Sequence, residues 1–152
     1  MSESRYRVNS WLEAIYGKTQ SELDEAGRCY LKQADDIGLV ICVPDDTDQV
    51  HIYADLMRIP DSPSQEFLEH LLALNGMPNL TFGARVFLDR YSSQLIALYT
   101  REINNLDLEK FINILENMPR VITSIRSELV EDTQDIGGSL IARESQQPNL
   151  RQ

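Results

Sequence analysis

SPSQEFLEHLLALNG, Ser62–Gly76, is the stretch around which the rest of the chain is ordered. Ser62 has the side chain of an N-cap, Pro63 suits the first helical position, and Gln65 stands where a capping-box residue reaches back. Phe67, Leu68, Leu71, Leu72 and Leu74 follow at helical spacing. Asn75-Gly76, with Pro78 just beyond, predicts a left-handed stop. The product is a helix of roughly three turns. Leu74 falls off the main stripe, so the apolar arc is wide. Two explanations stand side by side: a helix sunk wholly into one core, or one whose extra flank is covered by a second molecule.

Upstream, Val8, Trp11, Leu12, Ile15 and Tyr16 recur at i, i+3, i+4, i+7 and i+8 and predict an amphipathic helix over Ser4–Tyr16, stopped by Gly17. Two strands, Arg28–Gln33 and Leu39–Val43, flank the turn Ala34-Asp35-Asp36-Ile37-Gly38. Pairing Gln33 with Gly38 sets Cys29 opposite Cys42. After the acidic turn 44–48, Val50, Ile52, Ala54 and Leu56 alternate with His51, Tyr53 and Asp55, the period of a half-buried strand.

Downstream, Ala84–Leu88 and Leu95–Arg101 form a second hairpin around Asp89–Ser93. Both of its strands carry apolar residues on both faces, as expected where one face packs on helices and the other is covered by something else. Asp107 caps the last helix, with Leu106 and Phe111 placed as a hydrophobic staple. The stripe runs on to Leu129, and Pro119 predicts a kink or break near Asn117–Met118. From Glu131 the composition turns polar, so the expectation is one domain over 1–130 and a flexible polar tail over 131–152. The order helix-β-β-β-helix-β-β-helix, joined by hairpin-type turns, predicts an α+β fold: a twisted, mainly antiparallel sheet with helices packed on it.

The chain of 152 residues has a net charge of −10, placed unevenly: residues 1–76 hold 14 acids and 6 bases, residues 77–152 hold 10 and 8. An acidic chain without a basic stripe is a poor nucleic-acid binder, because phosphate contacts need Lys and Arg. No stretch approaches the roughly 20 apolar residues that span a bilayer. The N-terminal MSESRYRVNS lacks the apolar run of a secretory signal. Cys29 and Cys42 are too few for a disulfide scaffold, so the expected setting is the cytoplasm, with reduced thiols.

The residues that carry chemistry are sparse. His51 and His70 are the only histidines, one on a strand and one on a helix, and form no metal-ligand cluster. Gly137-Gly138 lacks the strand-to-helix setting of a phosphate loop. Cys29 and Cys42 sit inside apolar strand patterns, where burial opposes the thiolate that catalysis requires. The aspartates of 35–36 and 45–48 lack the glycine and terminal Glu of a calcium loop. No cofactor and no catalytic constellation are expected. What remains is apolar surface beyond what one thin sheet needs, which points to protein partners; an ordinary, well-filled core is the plainer alternative.

With these elements in order, the run from Glu66 to Met118 resembles the class I type III secretion chaperones, the Tir-chaperone family. The matching pieces are Leu71-Leu72-Ala73-Leu74-Asn75, the strand Gly83–Leu88, the returning Leu95–Tyr99, and the Leu106-Asp107…Phe111 helix start. The likeness covers about residues 5–130, and its specificity lies in the order and spacing of apolar patterns. The resemblance implies a non-enzymatic homodimer of the bacterial cytoplasm. Such a protein binds the N-terminal chaperone-binding segment of secreted effectors and keeps it extended for the secretion ATPase. It further implies self-association through Leu68, Leu71, Leu74, Phe82, Val86 and Phe87. An effector groove would form at Val8, Trp11, Leu12 and Tyr16, with Leu31 and Ile41 behind. A structural or regulatory adaptor of the same fold, with no secretion role, is the alternative.

Overall fold

The computed structural model describes residues 1–19 and 21–137. Helix α1 (Glu3–Tyr16) leads to strands β1 (Arg28–Lys32), β2 (Gly38–Cys42) and β3 (Gln49–Arg58). Helix α2 (Gln65–Leu74) and the short α3 (Pro78–Thr81) follow, then β4 (Arg85–Asp89), β5 (Gln94–Glu102) and the long α4 (Leu108–Gly137). The five strands form one sheet in the order β1-β2-β3-β5-β4, with every neighbouring pair antiparallel. The α+β class and the element order agree with the sequence. Because β5 lies between β3 and β4, the chain leaving β3 crosses β5 through α2 and α3 and sets β4 at an edge.

Strand alternation decides where the core sits. Leu31, Leu39, Ile41, Val50, Ile52, Ala54, Val86, Leu95 and Ala97 point to one face and are buried there. They share one cluster with Val8, Trp11 and Leu12 of α1, Phe67 and Leu74 of α2, and Phe111, Leu115, Met118, Ile122, Ile125 and Leu129 of α4. Each fully buried Leu, Ile or Phe contributes about 1.5–3 kcal/mol, so this layer carries most of the stability. Trp11 and Phe111 lock α1 to α4, their ring centroids 5.3 Å apart.

Arg5 ties the start of α1 to the strands. It is buried, donating from Nε to the Val43 carbonyl at 2.9 Å and from Nη1 to the Glu25 carbonyl at 3.2 Å, and it pairs with Asp45 at 2.9 Å. Beside it Gly27 has φ +75°, and a Cβ there would overlap both the Val43 carbonyl and the Arg5 guanidinium. Only glycine fits that conformation at that distance.

Four local expectations are corrected. The N-cap of α2 is Ser64, which accepts from Phe67 N–H at 3.1 Å, so Pro63 precedes the cap and Gln65 turns to Glu69 at 2.7 Å. At the other end Asn75 is right-handed (φ −65°), because its side chain is engaged by β4. In the first hairpin Lys32 pairs with Gly38 and Arg28 with Cys42, one residue off the expected register. Asp35 and Asp36, both at positive φ, make a tight turn, and the shift places Cys29 and Cys42 on opposite faces. Of the kink or break expected at Pro119, the break does not occur: α4 runs through the proline. Leu115, Met118 and Ile122 are buried around the proline, and that packing outweighs one lost backbone bond. Helix α4 extends to Gly137; the polar tail expected over 131–152 lies mostly outside the described residues, which end at 137.

Candidate protein-binding surfaces

All the helices contribute to the cluster on one face of the sheet, and among the described residues no helix covers the opposite face. Across it Tyr30, Val40, Tyr53 and Leu98 form a row by direct cross-strand pairing, with Arg85 of β4 at the end. Asp55, Ile96 and Phe87 make a parallel row on one side, and Arg28, Cys42, His51 and Thr100 on the other. Directly paired side chains stand about 5 Å apart, so these rows are continuous. The centre is apolar and the rim carries Arg28, Lys32, Asp55 and Arg85. Tyr30 is 69% exposed, and the rest of the central row is half-buried by its neighbours.

The open face is electrostatically quiet. His51 shares a hydrogen bond of 2.9 Å with Thr100 through Nδ1. Burial, and then the charge of Arg85, push its pKa down, so it is neutral at physiological pH. Burial pushes the Cys42 thiol up, against the opposing charges of Arg28 and Arg5. Burial, helped by Asp24, does the same to Cys29. Both thiols stay protonated, which is the wrong state for a nucleophile. Among the described residues no three His, Cys, Asp or Glu side chains are grouped to hold a metal ion.

A second set of apolar side chains reaches solvent along α2 and α3: Leu68, Leu72, Met77 and Phe82 are exposed, Leu72 by 75% and Phe82 by 57%. On β4, Phe87 is exposed on the open face and Leu88 on the helical side. Phe82 is held outward in the left-handed conformation (φ 52°, ψ 34°) that ends α3. It also forms one wall of a cleft of about 290 Å³ that Tyr99, Ile114, Met118 and Val121 line. The Arg101 guanidinium covers the Tyr99 ring at 4.4 Å, a stacked cation beside the cleft.

The residues assigned from the sequence divide between surface and core. Of the groove set, Val8, Leu12, Leu31 and Ile41 are fully or almost fully buried, and Trp11 is spent on Phe111. Their side chains build the core of this protomer and offer a ligand almost no surface. The α1 stripe meets α4 and the sheet's helical face, which consumes it. Tyr16 is half-buried and its hydroxyl accepts from Gln33 Nε2 at 2.8 Å. Of the self-association set, Leu68, Phe82 and Phe87 are exposed and Leu71 half-buried, whereas Leu74 and Val86 are core. The sequence did not single out Leu72 and Met77, which are exposed beside Leu68 and Phe82, or the open row through Tyr30, Val40, Tyr53 and Leu98. The alternation in the strands was the signal for that row, since every second residue of a one-sided sheet faces away from the helices.

Among the described residues, then, a small α+β domain leaves apolar side chains exposed on the open sheet face and along α2 and α3. The chain belongs to the Tir chaperone protein (CesT) family, whose model matches residues 12–126. Among curated proteins no relative matches it. Among solved structures it is similar to a chain of the ExsC-ExsE complex, at 19% identity and a TM-score of 0.69, covering 85% of this chain and 97% of that one. It is similar also to a chain of the HopA1-SchA chaperone-effector complex, at 16% identity and a TM-score of 0.68, covering 84% and 98%. A third likeness is to the ExoU-SpcU complex of the Pseudomonas aeruginosa type III secretion system, at 17% identity and a TM-score of 0.60, covering 82% and 96%. At these identities the structures establish the fold. No described helix is long and apolar enough to cross a membrane.

Proposed function

We propose that this chain is a type III secretion chaperone. It binds the N-terminal chaperone-binding segment of one or more secreted effectors and holds that segment extended and secretion-competent. It acts without catalysis, as a homodimer in the bacterial cytoplasm, and hands its cargo to the secretion ATPase. The observation that carries this reading is the pair of uncovered apolar surfaces on a fold of this family. An extended segment buries little of itself, so its affinity must come from many apolar contacts spread along its partner. The open row through Tyr30, Val40, Tyr53 and Leu98 supplies such contacts. Leu68, Leu72, Phe82 and Phe87 are assigned to self-association, with Leu71 at their edge. The net charge of −10 keeps such apolar surfaces from aggregating and steers basic segments toward them.

The test is to purify the tagged chain from its own bacterium and weigh it by light scattering. A mass near twice 17.4 kDa, and co-purification of a larger secreted protein lost on Tyr53→Glu, support the proposal. A monomer that brings down no secreted protein contradicts it.

A further inference from the structure

The sheet has two free edges, β1 and β4, and both are partly closed from within. At β4 the closure comes from Asn75, the residue that ends α2. Its Oδ1 accepts from the Val86 N–H at 2.7 Å, and its Nδ2 donates to the Val86 carbonyl at 3.0 Å. A carboxamide presents a donor and an acceptor side by side, as the main chain of a pairing strand does. Asn75 therefore stands in for one residue of an absent sixth strand.

The register shows how much of the edge this covers. Main-chain groups of an antiparallel strand alternate, residue by residue, between its two neighbours. Since Val86 faces outward, Leu88 does too, while Arg85, Phe87 and Asp89 face β5. The Ala84 N–H just before the strand is turned to the Thr81 carbonyl at 3.0 Å. With Val86 taken, Leu88 is the outward residue that β4 still offers. At β1 Asp24 closes the edge in the same manner at Arg28, taking its N–H on Oδ1 and giving its own N–H to the Arg28 carbonyl, both at 2.8 Å.

We propose that Asn75 is a specificity determinant of self-association: it closes the β4 edge to a second copy's β4, so that copies meet through side-chain surfaces and not by continuing the sheet. The sequence of β4 makes such a guard necessary. Arg85–Asp89 places Val86, Phe87 and Leu88 in a row on an edge strand, and an open apolar edge is a template for pairing with another chain. The guard acts whether or not an effector binds, so it stands apart from the function proposed above.

Four variants test it: Asn75→Ala, which removes donor and acceptor, Asn75→Asp, Leu88→Pro, and the double variant Asn75→Ala/Leu88→Pro. Aspartate keeps the acceptor for the Val86 N–H but sets an oxygen against the Val86 carbonyl. Proline at 88 removes an outward N–H and spares the ladder to β5. Light scattering over a concentration series and amide exchange are the readouts. Asn75→Ala is expected to speed exchange at Val86 at least about fivefold at dilutions where the copies stay apart, and to raise the mass above that of the wild type at high concentration. Asn75→Asp lies between the two. Leu88→Pro alone keeps the wild-type mass, and the double variant returns to that mass while Val86 remains fast. The proposal is overturned if Asn75→Ala keeps the wild-type mass at every concentration. It is equally overturned if exchange rises throughout the sheet and Leu88→Pro fails to restore the mass, because Asn75 would then be a general stabiliser.

Discussion

Trp11→Ala separates a core role for α1 from a surface one. Trp11 is 9% exposed and stacks on Phe111 with ring centroids 5.3 Å apart and planes at 37°. Truncating a buried Trp to Ala costs about 3–5 kcal/mol, and an aromatic pair of this geometry adds about 0.5–1.5 kcal/mol to the burial of its area. With a urea dependence of about 2 kcal/mol per molar, the unfolding midpoint falls by about 2 M. Phe111→Ala and the double variant complete the cycle, and a coupling of about 1 kcal/mol is expected between the two sites. Urea unfolding followed by circular dichroism measures all four proteins. A midpoint shift under about 0.5 M for Trp11→Ala, or a coupling of zero, would refute the packing described and return Trp11 to the ligand-binding role that the resemblance assigned it.

Leu72→Glu and Phe82→Glu remove no buried contact, so each should change stability by no more than about 0.5 kcal/mol. Combined, they should weaken self-association about tenfold or more in a sedimentation dilution series; a loss of folding stability instead would mean that these side chains are core. Arg126 donates from Nε to the Leu56 carbonyl at 2.9 Å and from Nη2 to the Asp55 carbonyl at 2.6 Å, at the irregularity in β3. Arg126→Met should therefore cost about 1.5–3 kcal/mol in urea unfolding, and a neutral result would show that the arginine does not hold that irregularity. The depressed pKa of His51 means that the unfolded chain binds a proton more readily than the folded one. The resulting loss of stability is absent above the ordinary imidazole value of 6.5 and grows as pH falls below it, until the folded pKa is reached. His51→Gln should flatten the stability profile between pH 7 and 5 relative to the wild type, and parallel profiles would contradict the assignment.

The sheet and its order were legible because hairpin turns and period-two alternation are local signals. Val50–Leu56 shows this: the alternation read from the sequence is the burial seen in the structure. The register of the first hairpin was not legible. It hangs on one turn residue, and two aspartates at positive φ moved the pairing by one and sent Cys29 and Cys42 to opposite faces. The break offered as one outcome at Pro119 did not occur for a related reason: local preference argued for it, and long-range packing of Leu115, Met118 and Ile122 overruled it. The candidate site was the hardest part. Apolar residues on a helix announce that they will be covered without saying by what. The stripe of α1 went into the core, while Leu72 and Phe82 did not. Asn75 shows the same limit, since its place in the sequence suggested a helix stop and its side chain serves a strand eleven residues later.

If this chain serves particular secreted proteins, a strain lacking it must differ from its parent in what it secretes. Secretion is induced and the culture medium analysed by quantitative mass spectrometry, with the gene restored as control. One or a few effectors are expected to disappear from the medium while the remaining secreted proteins are unchanged, and restoring the wild-type chain should bring them back. An unchanged profile in the deleted strain would contradict the proposed function.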